Sequence, residues 1–396
     1  MSTSTAKIRS AIIADLPSIL KIQDSLLRES VIDAWVLALE RNGQMSINDT
    51  PAHLERETYG VTLSAHTEGV ARMVDSVVRA LSETTGYDFK SDTDHLIAGA
   101  LCHDIGKIYE YLPENQKRWT NHRISGSPAM RHSAYSAHVA LEVGLPEDIV
   151  HCIAVHTEPP EGFRGRRSFH GTLVALCNDM YWRVLQAGYP FAELPFEQLR
   201  CNPKGKYPVA LSEEVRTSVV KSLPVIQNLQ SPLLRERVID AWALALSCNG
   251  YSCIEDLPLK TDVGDAVVSD AQHTLGIVRM CFEVLDIVEE TSGLCFHVDC
   301  DVLLATAICH DMGKAIEWRN KSLWSKSATI CGSPAYRHTL YGAHLAMLTG
   351  LPEEVAHCCF THTDALDSPT TRQSIGATIV TLLDHAYWKI FGAAMP

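Results

Sequence analysis

The sequence predicts an all-α protein made of two successive domains of like design, and three observations carry that expectation. Apolar residues recur with a helical period: His66, Val70, Met73, Val74, Val77 and Leu81 share one face, as do His273, Ile277, Met280, Cys281, Val284 and Val288. No sustained period-two alternation marks a strand. The chain also matches itself, since RSAIIADLPSILKIQDSLLRESVIDAW from Arg9 aligns with RTSVVKSLPVIQNLQSPLLRERVIDAW from Arg216 at an offset of 207.

The same offset carries His66 onto His273 and the doublet His103-Asp104 onto His310-Asp311. One residue is then lost, and GSPAMRHSAYSAH falls on GSPAYRHTLYGAH at an offset of 206, a match that persists to Tyr181-Trp182 and Tyr387-Trp388. A period this long is far beyond a solenoid repeat and indicates duplication of a whole domain. The domains are expected at 1–188 and 216–396, packed as a pseudo-symmetric pair. The Pro-rich, polar segment 189–215 is the expected connector. The runs HLIAGALCHDIG and DVLLATAICHDMG read as buried helices stopped at their glycine.

Composition narrows the function. Each half of the 396 residues is long enough to bury its own core. A net charge of −13 argues against a protein that coats nucleic acid or an anionic membrane surface. The start of the chain lacks a basic flank followed by a long apolar core, and no run approaches the roughly 18 to 20 apolar residues of a membrane span. The 13 cysteines form no CxxC pair, and Cys102, Cys177, Cys281 and Cys309 lie in apolar helical runs as small hydrophobes. A reduced, cytoplasmic setting is expected.

The histidines are the chemical signal. Of 18, twelve pair in register across the repeat: His66/His273, His103/His310, His132/His338, His138/His344, His151/His357 and His156/His362. Imidazole with carboxylate suits iron, manganese, zinc and related ions. Neighbouring side chains at a helix end diverge by about 100°, so a His-Asp doublet can clamp one metal while its carboxylate bridges to a second.

Here the residues resemble the HD superfamily of metal-dependent hydrolases, over nearly the whole chain and twice. The family pattern is a helical His, the His-Asp doublet and a later Asp, with two further His in the two-metal branch. It is matched by His66, His103-Asp104, His132, His156 and Asp179, and again by His273, His310-Asp311, His338, His362 and Asp384. The resemblance implies a di-metal centre, of iron or manganese, with zinc, cobalt and magnesium also compatible. The last ligand stays open: ungapped, Asn178 faces Asp384 and Asp179 faces His385. Either the helix is shifted by one residue in one copy, with Asp179 and Asp384 both ligating, or one copy has lost its carboxylate. The branch that cleaves cyclic dinucleotides has a His-His doublet and a Gly-Tyr-Pro motif. Here Thr follows His156 and His362, and that motif is missing.

Around the ligands, Lys107 and Lys314 follow the doublet and are expected to stabilise anionic charge. Arg131 and Arg337, each beside a ligand His, are expected to recognise a substrate anion. His138 and His344 read as ordinary helix histidines, and His151 and His357 lie off the ligand face. The loop after His156 carries Arg164, Arg166 and Arg167, where its counterpart has Asp364, Asp367 and Arg372. The expected activity is hydrolysis of a small anionic, phosphorylated metabolite by metal-activated water. The alternatives are O₂-dependent oxidation at a mixed-valent di-iron pair, which the resemblance also implies, hydrolysis of a carbonyl or ring bond, and a degenerate sensing scaffold.

Overall fold

Capping chemistry sets the bounds of both long helices in the computed structural model, which describes residues 3–53, 59–119, 132–157, 167–188, 201, 204–257, 268–317, 338–363 and 374–394. Thr62 accepts from the Ala65 amide to open Leu63–Thr85, and Gly86 closes it in the left-handed region at φ 75°. Ser269 and Gln272 form a capping box on Asp270–Ser292, which Gly293 ends at φ 70°. Among the described residues there is no strand, only an isolated bridge between Pro51 and Thr62. None of their helices is long and apolar enough to cross a membrane.

The first half runs through helices Thr3–Asp15, Ser25–Arg41, Leu63–Thr85, Thr93–Cys102, His132–Glu142, Glu147–Val155 and Phe169–Gly188. In the second half Glu213–Ser222, Pro232–Asn249, Asp270–Ser292, Cys300–Cys309, His338–Thr349, Glu353–Thr361 and Ile375–Ala394 follow in the same order. Ser212 caps the helix that starts at Glu213. Ahead of it, residues of the 189–215 segment bond to later helices. The Gly205 amide donates to Leu348 O at 2.8 Å, and the Tyr207 hydroxyl to Asp240 at 2.9 Å.

A buried indole anchors each doublet. Trp35 Nε1 donates to Leu101 O at 3.0 Å and Trp242 Nε1 to Ile308 O at 3.1 Å, which fixes the helix end just ahead of His103 and His310. The two long helices, Leu63–Thr85 and Asp270–Ser292, pack on each other with reciprocal contacts. Arg72 pairs with Glu290 at 2.6 Å, and Arg279 pairs with Glu83. Tyr181 Oη lies 3.0 Å from Thr291 Oγ1, while the Tyr387 ring lies against Thr84 at Gly276. Such half-exposed ion pairs add little stability, so the apolar surface between the helices does most of the work.

The glycine of each doublet has a different role from the expected helix stop. The preceding helices end at Cys102 and Cys309, and Gly106 sits at φ −68°, where any residue fits. What demands glycine is proximity: a Cβ on Gly106 would lie 2.0 Å from His132 O, and one on Gly313 1.9 Å from His338 O. Glycine lets the helix carrying the next histidine start directly on the doublet turn. Gly106→Ala is expected to cost about 3 kcal/mol in urea unfolding through overpacking. Gly144→Ala, in open space at φ 75°, should cost only the roughly 1 kcal/mol of its backbone conformation.

Candidate metal centres

Four of the histidines are helix C-caps. His103 and His310 close the helices ending at Cys102 and Cys309, and His156 and His362 close those ending at Val155 and Thr361. Each turns Nδ1 onto a carbonyl one turn back: His103 to Ala100 O at 2.6 Å, His310 to Ala307 O at 2.7 Å, His156 to Ile153 O at 2.6 Å and His362 to Cys359 O at 3.1 Å. A helix end leaves such carbonyls without an internal partner, so the cap satisfies the backbone and selects the tautomer. With the proton on Nδ1, the Nε2 lone pair points into the protein.

His132 and His338 open their helices instead, and a carboxylate does the same job. Glu110 Oε2 accepts from the His132 amide at 2.5 Å and from Nδ1 at 2.7 Å. Glu317 takes the His338 amide at 2.8 Å and its Nδ1. His66 and His273 project from the first turn of the long helices. The His66 ring stacks on Trp182 at 4.7 Å and meets the edge of Tyr181 at 4.8 Å. His273 meets Trp388 at 4.9 Å and Tyr387 at 4.6 Å.

These imidazoles converge on one buried carboxylate in each half. Asp104 Oδ2 lies 3.2 Å from both His66 Nε2 and His103 Nε2, while Oδ1 lies 3.4 Å from His132 Nε2 and 3.5 Å from His156 Nε2. Asp311 repeats this: Oδ2 is 3.3 Å from His273 and 3.2 Å from His310, and Oδ1 is 3.4 Å from both His338 and His362. Asp384 adds a second carboxylate, with Oδ1 3.0 Å from His273 Nε2.

The donor set fits a pair of cations in each half. Nε2 atoms face each other at 3.4 Å (His66, His103), 3.3 Å (His273, His310) and 3.2 Å (His338, His362). Two ligands about 2.1 Å from a shared ion stand about 3.0 to 3.4 Å apart in octahedral or tetrahedral geometry. His156 Nε2 and both Asp104 oxygens are buried without a hydrogen bond of normal geometry. Where both Nδ1 atoms are bonded, as in His338 and His362, the facing lone pairs repel, and a cation between them removes the conflict. Groups able to hold a metal form at His66, His103 and Asp104; at Asp104, His132 and His156; at His273, His310, Asp311 and Asp384; and at Asp311, His338 and His362.

Electrostatics separates the halves. Burial pushes the pKa of His66 down to about 3 and that of His156 down to about 4. Burial also disfavours charge on His273, but Asp311 and Asp384 outweigh it and raise its pKa. Burial works against ionised Asp104 and is overcome by His103 and Lys107, which leave it well below the usual carboxylate range.

Of the expected ligands, the structure brings together His66, His103, Asp104, His132 and His156 in one half and His273, His310, Asp311, His338, His362 and Asp384 in the other. It does not bring in Asp179. That side chain is 49% exposed and binds Arg183 at 2.7 Å, because one residue along a helix turns the carboxylate about 100° away from the face that Tyr181 and Trp182 present to His66. Lys107 and Lys314 are buried on Asp104 and Asp311, each 2.6 Å from Oδ2, so their first partner is that carboxylate rather than an incoming anion. Lys107 also donates to Ala52 O at 2.7 Å, and Lys314 faces Asp270 at 3.4 Å. Arg131, Arg337, Arg164 and Arg166 lie outside the described residues. His138 sits beside Glu142 at 3.5 Å, 58% exposed, and His151 faces the Ser168 amide at 3.4 Å.

Sequence reasoning missed Glu110, Glu317 and Asp270. The first two were findable, since HDIGKIYE and HDMGKAIE carry the same Glu at the same offset. Asp270 had no such signal, because Leu63 occupies its counterpart.

Residues 63–189 match the family model described as HD domain, a span that opens at the helix carrying His66 and closes just past the helix carrying Tyr181. No curated protein and no solved structure matches the chain.

Two outcomes follow from the geometry. Glu110→Gln keeps the shape but weakens the hold on His132, and is expected to lower metal affinity about 10- to 100-fold in a chelator competition. His66 stays neutral when folded down to about pH 3, whereas an unfolded imidazole gains its proton near 6.5. The unfolded chain therefore binds the extra proton, and stability falls as pH falls below about 6.5. The stability advantage of metal-free wild type over His66→Gln should shrink by about 1 kcal/mol between pH 7.5 and 5.5 in urea titrations.

Proposed function

We propose that the chain is a metal-dependent hydrolase with two HD-type domains, residues 1–188 and a second from the helix that starts at Glu213, each built around a di-metal centre. One observation carries the reading: in each half the two oxygens of a single buried carboxylate face two separate pairs of imidazole Nε2 atoms. The HD match over 63–189 supports it, because the superfamily the sequence resembles consists of metal-dependent hydrolases. The reciprocal contacts Arg72–Glu290 and Arg279–Glu83 support a pseudo-symmetric pairing of the domains.

A bound divalent pair, of iron or manganese by ligand preference, supplies Lewis acidity and a water nucleophile at neutral pH. The chain's own residues do the rest. Asp104 and Asp311 would each hold both ions, one through each oxygen, and Lys107 and Lys314 hold those carboxylates ionised and oriented. Glu110 and Glu317 keep Nδ1 of His132 and His338 protonated, so Nε2 is presented as a ligand. The arrangement suits a small anionic substrate, a phosphate ester in the leading case, whose developing charge meets the cation pair.

The test is a panel of small phosphate esters with metal-stripped and manganese-loaded full-length protein. Turnover that needs the metal, does not need O₂, and falls at least about 1000-fold in the double variant Asp104→Ala/Asp311→Ala is expected. Substrate consumption that stops when O₂ is removed would replace hydrolysis by oxidation.

A further inference from the structure

The two centres differ in one ligand and in buried charge, and both differences point the same way. In each half the last helix presents an adjacent Tyr-Trp pair to the long-helix histidine. Tyr181 and Trp182 lie 4.8 and 4.7 Å from His66, and Tyr387 and Trp388 lie 4.6 and 4.9 Å from His273. The helices therefore share a register, and the position three residues before the tyrosine is Asp384 in one and Asn178 in the other. Asp384 is buried, 3.0 Å from His273 Nε2, and is steadied by Trp388 Nε1 at 3.1 Å. Asp179 cannot take over for Asn178, because it faces outward onto Arg183.

The surroundings of the lysine add to this. Beside Asp104, the ammonium of Lys107 meets a neutral carbonyl, Ala52 O, so one carboxylate faces one ammonium with no charge left over. Beside Asp311, Lys314 meets Asp270 as well, and Asp384 stands across the cluster, so three carboxylates face one ammonium. With the imidazoles neutral, as they are when they bind a cation, and even with a proton on Asp270, Asp384 leaves the second cluster one negative charge richer. Glu110 and Glu317 occur in both halves and do not alter the comparison.

We infer that two corresponding metal positions in the halves are unequal: the His273/His310/Asp311/Asp384 position is the high-affinity one, and the His66/His103/Asp104 position is a weak one, limited by Asn178. This rests on the metal-centre reading above and adds which half stays loaded when metal is scarce. An amide oxygen is a neutral and weaker donor than a carboxylate, and a dication entering the first cluster finds no net charge to offset its loss of water.

The experiment is a Mn²⁺ titration of the metal-stripped full-length protein, with free Mn²⁺ counted by electron paramagnetic resonance. Wild type, Asn178→Asp and Asp384→Asn are compared. Wild type should show two affinity classes. Asn178→Asp should tighten the weak class at least about 10-fold, and Asp384→Asn should loosen the tight class by at least as much. A gain in affinity at Asn178→Asp cannot come from misfolding, so the test does not depend on the loss variant. One uniform class in wild type, or two classes that neither substitution moves, overturns the inference while leaving the metal-centre reading in place. No Mn²⁺ binding in any of the three proteins overturns both.

Discussion

Asp104 and Asp311 are each about 1% exposed, and an ionised carboxylate in such surroundings costs several kcal/mol unless charge and donors are brought to it. Much of each centre can be read as the answer to that cost. A lysine three residues on folds back to 2.6 Å from Oδ2, which a helical turn after the doublet makes possible. Glycine just before that lysine admits the backbone of the helix that brings His132 or His338. Trp35 and Trp242 tie down the backbone just before the doublet, so the carboxylate does not drift with its helix end. Imidazoles complete the shell; in His103, His156, His310 and His362 a backbone carbonyl takes Nδ1, and in His132 and His338 a glutamate does, which leaves their Nε2 atoms turned to the carboxylate.

Helical period and self-similarity made much of this legible before any coordinates. Both act through local rules: burial of one face recurs every 3.6 residues, and a repeated pattern repeats its fold. The imidazole ligands and the doublets were readable because each is a chemically distinctive residue in register twice. Legibility failed where the outcome depended on direction rather than identity. Asp179 and Asn178 are neighbours in the sequence, and only the placement of Tyr181 and Trp182 on His66, with Asp179 on Arg183, shows that Asp179 faces outward. The glycine after the doublet has an obvious local meaning as a helix stop, but its real constraint is a carbonyl about 26 residues away in sequence, a tertiary contact that pattern alone does not encode. Glu110 has no place in the expected ligand pattern, because it orients His132 rather than joining the histidine cluster itself.

The long helices tie each centre to the other half. His66 and His273 both sit on the helices that pack together, and Tyr181, whose edge meets His66, also touches Thr291 of the opposite half. Gly69 and Gly276 let those tyrosines approach, since a Cβ on Gly69 would fall 2.3 Å from the Tyr181 ring. The rings that wall each pocket are thus also part of the surface between the halves, and neither pocket is shaped by its own half alone.

In a symmetric dimer of identical chains, a substitution in one pocket appears in its partner, and selection judges both copies together. Here the facing surfaces are read from one continuous gene product at different positions. The sequence keeps what the shared surface demands on both sides: Arg72 with Arg279, Glu83 with Glu290, Tyr181 with Tyr387. Position 178 answers to no such reciprocity and carries Asn where 384 carries Asp. If the halves hold two metal centres, as proposed above, one continuous chain lets position 178 differ from 384 while the residues on the surface between the halves stay matched.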